Sequence, residues 1–226
     1  SVAIGVWVRV GGRYEPLAHA GISHFIEHML FKGTRRRSCE ALKQAIEGIG
    51  GTLNGFTAEE FTCYLANVPA KYLGRGLTIL SDMVLHSTFR PRDLERERDV
   101  ILEEIRMSED NPGQRVHELF SQLLWPNHPL GILLAGTEET VRRIQRPQLV
   151  DYWRRFYQPR NLLVVCAGAL DPERTLRQAR LAFAGPSRRA AARMMRAPRL
   201  RPGPHVQVMH KQTEQTHVCL GVPAIV

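Results

Sequence analysis

The sequence HFIEH (residues 24–28), inside the longer stretch AGISHFIEHMLFKGT (residues 20–34), places two histidines and a glutamate within five residues. The pattern is typical of a helix that starts near Ser23, a common N-cap residue, and runs to Lys32, with Gly33 as its end. Its three polar side chains either bind a metal ion or lie on the wet side of an ordinary helix.

On a helix, His24 and His28 are one turn apart and their imidazoles point in the same direction. That spacing allows two nitrogens to hold a single zinc ion. Glu27 borders the same face and can reach a water on the metal without being a ligand. Its carboxylate can then take the proton as the water attacks a carbonyl. The three residues predict a zinc site with its own general base.

A catalytic zinc ion usually has three protein ligands, so the third must come from elsewhere in the chain. Glu97 and Glu104, in ERERDVILEEIRMSED, are seven residues apart and share one face of a predicted helix. Val100 and Ile101 lie near this stripe, and an acid on an apolar face needs a partner such as a metal. Glu103 points away from Glu104 by about 100 degrees. Glu104 is therefore the preferred candidate.

The simpler interpretation is that these histidines are solvated or bonded to carbonyl groups, because a five-residue pattern also arises by chance. The remaining histidines of the nine in the chain, among them His128, His210 and His217, are interpreted as structural or surface residues.

Strands and helices alternate irregularly along the chain, with hairpin-like strand pairs in place of strict βαβ units. This order predicts an α+β fold in which helices pack on one face of a mostly antiparallel sheet. Strands are predicted in 2–11, in two pieces of 52–69, in 161–170, and in 205–211 and 216–222. Helices are predicted near 23–32, 38–51, 70–86, 91–110, 114–125, 138–157 and 171–183.

The composition indicates a globular protein whose core needs no disulfide or metal, since 43% of the residues are hydrophobic. No run of 18 apolar residues is present, so no membrane-spanning helix is expected. The four cysteines, Cys39, Cys63, Cys166 and Cys219, form no C-x-x-C pair. They predict buried free thiols in a reducing compartment.

The formal net charge of +9 is partly concentrated in the segment 186–204, where arginine and proline are frequent. This composition is typical of a solvated linker. Elsewhere acids and bases are mixed, and no aromatic stacking pattern accompanies the charge. Nucleic-acid binding is therefore not expected, although a basic module for nucleic acid or acidic surfaces is one alternative function.

The stretch HFIEHMLFKGT contains H-x-x-E-H, the inverted counterpart of the H-E-x-x-H zinc-protease motif. It resembles the active-site helix of the pitrilysin and mitochondrial processing peptidase family. The stretches LNGFTAEEFTCYLANVP, RERDVILEEIRMSEDNP, HPLGILLAGTEETV and FYQPRNLLVVCAG are similar to other segments of that family. The resemblance covers almost all of the chain.

The resemblance implies that His24, His28 and Glu104 bind one zinc ion per chain and that Glu27 is the general base. It gives Glu97 a supporting role, in which this residue orients His28 or tunes the metal. The implied activity is that of a zinc-dependent endopeptidase, which hydrolyses extended peptides or unfolded, presequence-like segments by means of a zinc-activated water.

By the same resemblance, Asn54, Gly55 and Phe56 form an edge strand that pairs with an extended peptide substrate. Gly55 stands where alanine is more usual, and the difference should alter the rigidity of the strand more than the chemistry.

Members of this family consist of two similar domains that close around the peptide, and the second domain supplies an arginine and a tyrosine that contact substrate. Residues 1–226 are interpreted as a single N-terminal zinc-binding domain, truncated at both ends and without the homologous C-terminal domain. The expected partner is a second domain or a related chain, in a homodimer or heterodimer. A non-catalytic scaffold or substrate-binding subunit of a two-chain peptidase is the alternative.

Family members act in the bacterial cytoplasm, the periplasm and mitochondria. The high arginine and alanine content suits a bacterial protein, and the bacterial cytoplasm is the expected location, with the periplasm and mitochondria as alternatives.

Overall fold

The computed structural model describes residues 1–185, 194–199, 203–212 and 214–222. One antiparallel sheet has the strand order β2-β3-β1-β4. The strands are β1 (Val2–Val8), β2 (Thr52–Thr57), β3 (Thr62–Val68) and β4 (Leu162–Gly168). The α-helices are α1 (Ile22–Leu30), α2 (Cys39–Glu47), α3 (Leu73–His86), α4 (Pro91–Asp110), α5 (Pro112–Leu124), α6 (Glu138–Arg143), α7 (Arg146–Phe156) and α8 (Pro172–Ala182). The predicted α+β fold with an antiparallel sheet is confirmed.

Strand β1 lies at the centre of the sheet, between β3 and β4. Its alternate residues Val2, Ile4, Val6 and Val8 are fully buried beneath the helices, as expected of a strand with one face on the core. Helix α3 packs on β1 and β3, and helices α1 and α2 pack on β2. The sheet thereby fixes where the helix with the two histidines lies.

The opposite face of the sheet is apolar but exposed. On β4, Leu163 is 62% exposed and Val165 is 45% exposed. Beside them, Trp7, Phe56 and Phe61 form a cluster with ring centroids 4.8–6.0 Å apart. The helices of the described residues therefore cover one face of the sheet, as predicted.

Helix α1 begins at Gly21, which has φ of +92° and is the N-cap residue. A side chain at Gly21 would collide with the carbonyl oxygen of Ala135, and one at Gly136, which has φ of +82°, would collide with that of Ala20. Only glycine suits such a left-handed close approach. The backbone before α1 is therefore locked against the turn that precedes α6.

The predicted N-cap, Ser23, is wrong by two residues. Ser23 lies in the first turn of α1, where it is buried, and its N–H donates to Glu15 Oε1 over 2.8 Å. A glutamate eight residues earlier in the chain thus satisfies the helix terminus in place of a neighbouring side chain, which local sequence rules do not foresee.

Helix α4 begins at Pro91, as predicted, and is tied to the next helices by a buried arginine. The guanidinium group of Arg98 donates to the carbonyl oxygens of Val141 and Ile144, the latter over 2.8 Å. It also lies over the ring of Phe25, with 5.4 Å to the centroid. One cation therefore connects α4, the end of α6 and the core side of α1.

The predicted strands at 205–211 and 216–222 are not formed in the structure, which gives these residues no helix or strand. Val206, Val208, Val218 and Leu220 are exposed. Alternating apolar residues form a strand only where a neighbouring strand accepts and donates hydrogen bonds, and the described residues supply none to these segments. Of the predicted linker, 186–193 and 200–202 lie outside the described residues, and the rest has no regular structure.

The four cysteines are free thiols, as predicted, but only Cys63 is buried, whereas Cys39, Cys166 and Cys219 are half-buried. No helix in the described part of the chain combines the length and apolarity needed to cross a bilayer.

We expect Arg98→Met to lower the free energy of unfolding by about 2 kcal/mol or more, because two buried carbonyl groups lose their donor. Urea denaturation measures the effect. Arg96→Met on the same helix, where the side chain is exposed, should change stability by less than about 0.5 kcal/mol. Equal stability of the two variants would contradict the anchoring role of Arg98.

Candidate metal centre

Three side chains from two helices converge at one point. Glu104 Oε2 on α4 lies 3.8 Å from His24 Nε2 and 3.5 Å from His28 Nε2 on α1. Ligand atoms of these three residues all lie within 4.8 Å of one another. The structure thus brings together the three residues that the sequence suggested as metal ligands.

Helix α4 places Glu97 and Glu104 on the side that faces α1, but their environments differ. The side chain of Glu97 is 9% exposed, whereas that of Glu104 is 43% exposed. The expectation that Glu104 lies on an apolar face is therefore wrong, since Val100 is also exposed. Glu104 lies at the open rim of the site, and Glu103 points away and pairs with Arg106 over 3.3 Å.

Glu97 links the site to the end of helix α1. Its Oε2 lies 3.1 Å from His28 Nδ1, and its Oε1 lies 2.7 Å from Lys32 Nζ. With both carboxylate oxygens engaged, Glu97 fixes the orientation of the His28 ring and leaves Nε2 of that ring towards Glu104. By contrast, Nδ1 of His24 is buried and has no hydrogen-bond partner among the described residues.

Glu27 lies on α1 between the two histidines and is buried. Its Oε2 accepts a hydrogen bond of 2.6 Å from Thr57 Oγ1 at the end of β2. Thr57 follows the Asn54-Gly55-Phe56 stretch directly, so the last residue of the edge strand holds one oxygen of the candidate base.

The charges around His28 favour a cation at this point. Burial alone lowers the pKa of His28, but the hydrogen bond to Glu97 and the charges of Glu104 and Glu27 raise it above its usual value. His24 behaves in the opposite way, since burial and the charge of His28 lower its pKa to about 4. Three carboxylates around two imidazoles thus form an electrostatically negative site.

The pKa values of two of these carboxyl groups, Glu27 and Glu97, are shifted in opposite directions. Burial raises the pKa of Glu27, and the hydrogen bond from Thr57 only partly offsets this effect. Burial acts the same way on Glu97, but hydrogen bonds to His28 and Lys32 outweigh it and lower the pKa. Such a divergence is typical of a base beside a permanently charged group.

Strand β2 is an edge of the sheet and runs beside α1. The N–H of Gly55 donates to Asn54 Oδ1 over 2.8 Å. A Cβ atom at Gly55 would lie 3.0 Å from the ring of Phe31, so the strand and the helix approach closely here. The side chain of Phe56 is directed to the opposite, exposed face, where it joins the aromatic cluster.

Glu15 anchors the first turn of α1, at the opposite end from Lys32. This residue is 3% exposed, and its two carboxylate oxygens accept the N–H groups of Gly21, over 2.7 Å, and Ser23, over 2.8 Å. Burial raises the pKa of Glu15 to about 7, although these hydrogen bonds act against the rise. A buried carboxyl group thus stabilises the first turn, immediately before His24.

Two models of protein families match successive parts of this chain. The model described as insulinase (peptidase family M16) matches residues 1–138, and the model of the peptidase M16 inactive domain matches residues 143–225.

The chain belongs to peptidase family M16.

Two bacterial relatives illustrate the kinship. An uncharacterised zinc protease of Streptomyces coelicolor is 39% identical over 100% of this chain and 50% of its own length. The uncharacterised zinc protease YmxG of Bacillus subtilis is 38% identical over 98% of this chain and 53% of its own length. The chain therefore spans about half the length of these M16 relatives.

Solved structures support the same fold. A protease from Helicobacter pylori superposes with a TM-score of 0.81 at 20% identity, over 86% of this chain and 48% of that protein. The periplasmic protease PqqL from Escherichia coli has a TM-score of 0.78 at 24% identity, over 87% of this chain and 22% of that protein. At this level of identity the likeness concerns the M16 fold alone.

The donor set of this M16 chain fits a zinc ion. Two imidazole nitrogens and one carboxylate are ligands typical of catalytic zinc, and tetrahedral ligand atoms at the usual metal distances lie about 3.4 Å apart. The 3.5 Å and 3.8 Å separations of Glu104 Oε2 from the two histidines are slightly longer than this. All three ligand atoms lie within 4.8 Å of one another, so the side chains would have to move closer together to reach this geometry.

Sequence reasoning about this M16 chain missed three residues that support the site, namely Glu15, Lys32 and Thr57. Two of them had a local signal. Lys32 lies one helical turn after His28, and Thr57 lies two residues after Gly55 on the same face of β2. Glu15 had none, because its contacts with the first turn of α1 follow from the tertiary fold.

We expect the stability of the protein to depend on pH through Glu15. A carboxyl group whose pKa is about 7 in the folded state and 4.5 otherwise stabilises the fold at low pH, and this contribution is lost as the pH rises through 7. The stability advantage of wild type over Glu15→Gln should therefore shrink between pH 5 and pH 8, by roughly 1–3 kcal/mol.

Urea denaturation of both proteins at pH 5, 6.5 and 8, with a chelator present throughout, measures this difference. Subtracting the variant removes the contribution of other titrating groups such as Glu27. A difference that is constant or grows with pH would show that Glu15 does not titrate in this way.

Proposed function

We propose that the chain carries the zinc-binding half of an endopeptidase site, with His24, His28 and Glu104 as ligands of one zinc ion and Glu27 as the general base. The observation that carries the proposal is the convergence of these three ligand atoms, from two separate helices, beside a buried carboxylate. The names of the relatives, which are zinc proteases, support the use of zinc in the family.

A zinc ion held at this site would supply Lewis-acid chemistry, lowering the pKa of a bound water to about 7 and polarising a carbonyl group. Glu27 then takes the proton of the attacking water and can deliver it to the leaving amine. Because Thr57 occupies Oε2 of Glu27, Oε1 is the oxygen that is available for this transfer.

The proposed substrate is an extended peptide that adds a strand to the free edge of β2, along Asn54, Gly55 and Phe56. Such pairing presents the peptide backbone in a fixed register and requires no particular side chain. Since Thr57 at the end of the same strand contacts Glu27, a peptide on this edge would run towards the base. The N–H of Gly55 now donates to Asn54 Oδ1. A carbonyl oxygen of the bound peptide would replace Asn54 Oδ1 as the acceptor of this N–H.

The share of the relatives' length that this chain matches supports a proposed domain assignment. We treat residues 1–226 as one N-terminal zinc-binding domain that works with a second domain or a related chain, because half of the length of its relatives lies outside the match. A non-catalytic subunit of a two-chain peptidase is the alternative, and it should contain no stoichiometric zinc.

We expect Glu27→Gln to reduce peptide hydrolysis by at least about 100-fold, because the amide cannot accept the proton. Its zinc content, measured by plasma mass spectrometry, should remain that of the wild type. Full activity of the variant on a fluorogenic library of unfolded peptides would contradict the role of Glu27.

The ligand assignment is tested by Glu104→Gln, which should lose zinc, with Glu103→Gln as the matched control. Glu103 is the adjacent residue on α4 and pairs with Arg106, away from the two histidines, so its variant should bind zinc normally. Absence of zinc from the wild type would favour the non-catalytic alternative.

We expect Thr57→Val to lower kcat by about tenfold with unchanged zinc content, because Glu27 loses the hydrogen bond that orients it. Thr57→Ser, which keeps the hydroxyl, should recover most of the activity. If Thr57→Val and Thr57→Ser were equally active, the hydroxyl would have no part in positioning the base.

A further inference from the structure

We infer that Lys32 is a positioning residue of the metal centre, which acts on His28 through Glu97. This inference rests on the proposed zinc site and extends it by one residue that is neither a ligand nor a base. Three groups form a chain of contacts: Lys32 Nζ lies 2.7 Å from Glu97 Oε1, and Glu97 Oε2 lies 3.1 Å from His28 Nδ1.

The geometry makes Lys32 the second partner that Glu97 requires. The side chain of Glu97 is only 9% exposed, so little of it is open to water. With Lys32 on Oε1, the carboxylate is held in one rotamer and its Oε2 stays directed at the imidazole. Without Lys32, one oxygen of a nearly buried carboxylate would lack a partner. The side chain of Glu97 would then adopt another rotamer, or several rotamers, and would no longer hold the His28 ring in one orientation.

Lys32 is itself fixed by the contact between α1 and α4. Its carbonyl oxygen accepts a 2.7 Å hydrogen bond from Arg90 Nη2, immediately before the first residue of α4, and its N–H donates to Met29 O over 3.1 Å. The backbone of Lys32 thus docks the end of one helix on the beginning of the other. The ammonium group is then presented to Glu97 from a backbone that has little freedom.

The two histidines differ in a way that makes this chain of contacts important. Nδ1 of His24 is buried and has no partner among the described residues, so no hydrogen bond at this nitrogen orients that ring. His28 is the one of the pair whose ring is held by a hydrogen bond. The precision of the site therefore depends on Glu97, and Glu97 depends on Lys32.

The test is the zinc affinity of the whole chain, measured by competition with a chromophoric chelator. We expect Lys32→Met, which keeps the aliphatic stem without the charge, to bind zinc about tenfold more weakly than wild type. Lys32→Arg, which can still reach Glu97, should recover most of the affinity. Lys43→Met, at an exposed position on α2, is the matched control and should bind as wild type.

A second readout is independent of zinc and of activity. Nitrogen-detected NMR of the metal-free protein, at a pH high enough to make the imidazoles neutral, should show His28 with its proton on Nδ1 in wild type and in Lys32→Arg. In Lys32→Met we expect a mixture of the two neutral tautomers, because Glu97 no longer holds that proton in place. Circular dichroism checks that all variants remain folded.

The outcomes separate this inference from the proposed function. If wild type binds zinc and Lys32→Met binds it equally well with an unchanged tautomer, the role of Lys32 is refuted and the zinc site stands. If wild type binds no zinc, the proposed function itself fails, and the role of Lys32 in metal binding fails with it.

Discussion

The carboxylate of Glu97, nearly buried between α1 and α4, is the interaction on which the geometry of the centre depends. The candidate ligands come from two helices that are far apart in sequence, so their separation must be fixed by contacts other than those to the metal. Glu97 supplies such a contact, because it lies on α4 and bonds to His28 of α1 and to Lys32, two residues after the end of α1. A metal site requires placement to within about 0.5 Å, which rigid helices achieve better than loops. The chemistry of the centre therefore depends on how the two helices are docked.

The rest of the fold holds those two helices through two further buried contacts. Glu15 stabilises the first turn of α1, and Arg98 fixes the middle of α4 to the carbonyl groups that end α6. Both contacts are buried and charged, and such groups cost folding free energy unless they are fully hydrogen-bonded. Both groups lie next to the histidine-bearing helix. Their hydrogen bonds therefore make this part of the structure rigid, at a cost in folding free energy, as in other preorganised sites. The edge strand β2 completes the arrangement by bringing Thr57 to Glu27.

Much of this could be predicted from the sequence, because the signals are local. Helical periodicity placed His24 and His28 together, Pro91 marked the start of α4, and the alternation in 52–69 indicated a hairpin. The preference for Glu104 over Glu103 was also local, although its premise of an apolar face was wrong. The rest could not be predicted, since it depends on residues that meet only in the folded chain. Ser23 has the properties of an N-cap, yet Glu15 takes that role from a distance. The alternating segments after residue 204 have strand-like patterns, but a pattern cannot supply the neighbouring strand that pairing requires.

The close approach of Gly21 and Gly136 has a consequence for how metal sites are recognised in sequences. Neither residue has a side chain and neither is a candidate metal ligand, yet a side chain at either position would collide with the facing backbone, between the start of α1 and the turn before α6. A chain could keep every ligand and the base intact and still lose its centre through one such change. Searches that score only the histidines and glutamates would count that chain as an enzyme. The two facing glycines therefore carry information on whether an apparent motif is a working site, and a diagnostic signature should include them.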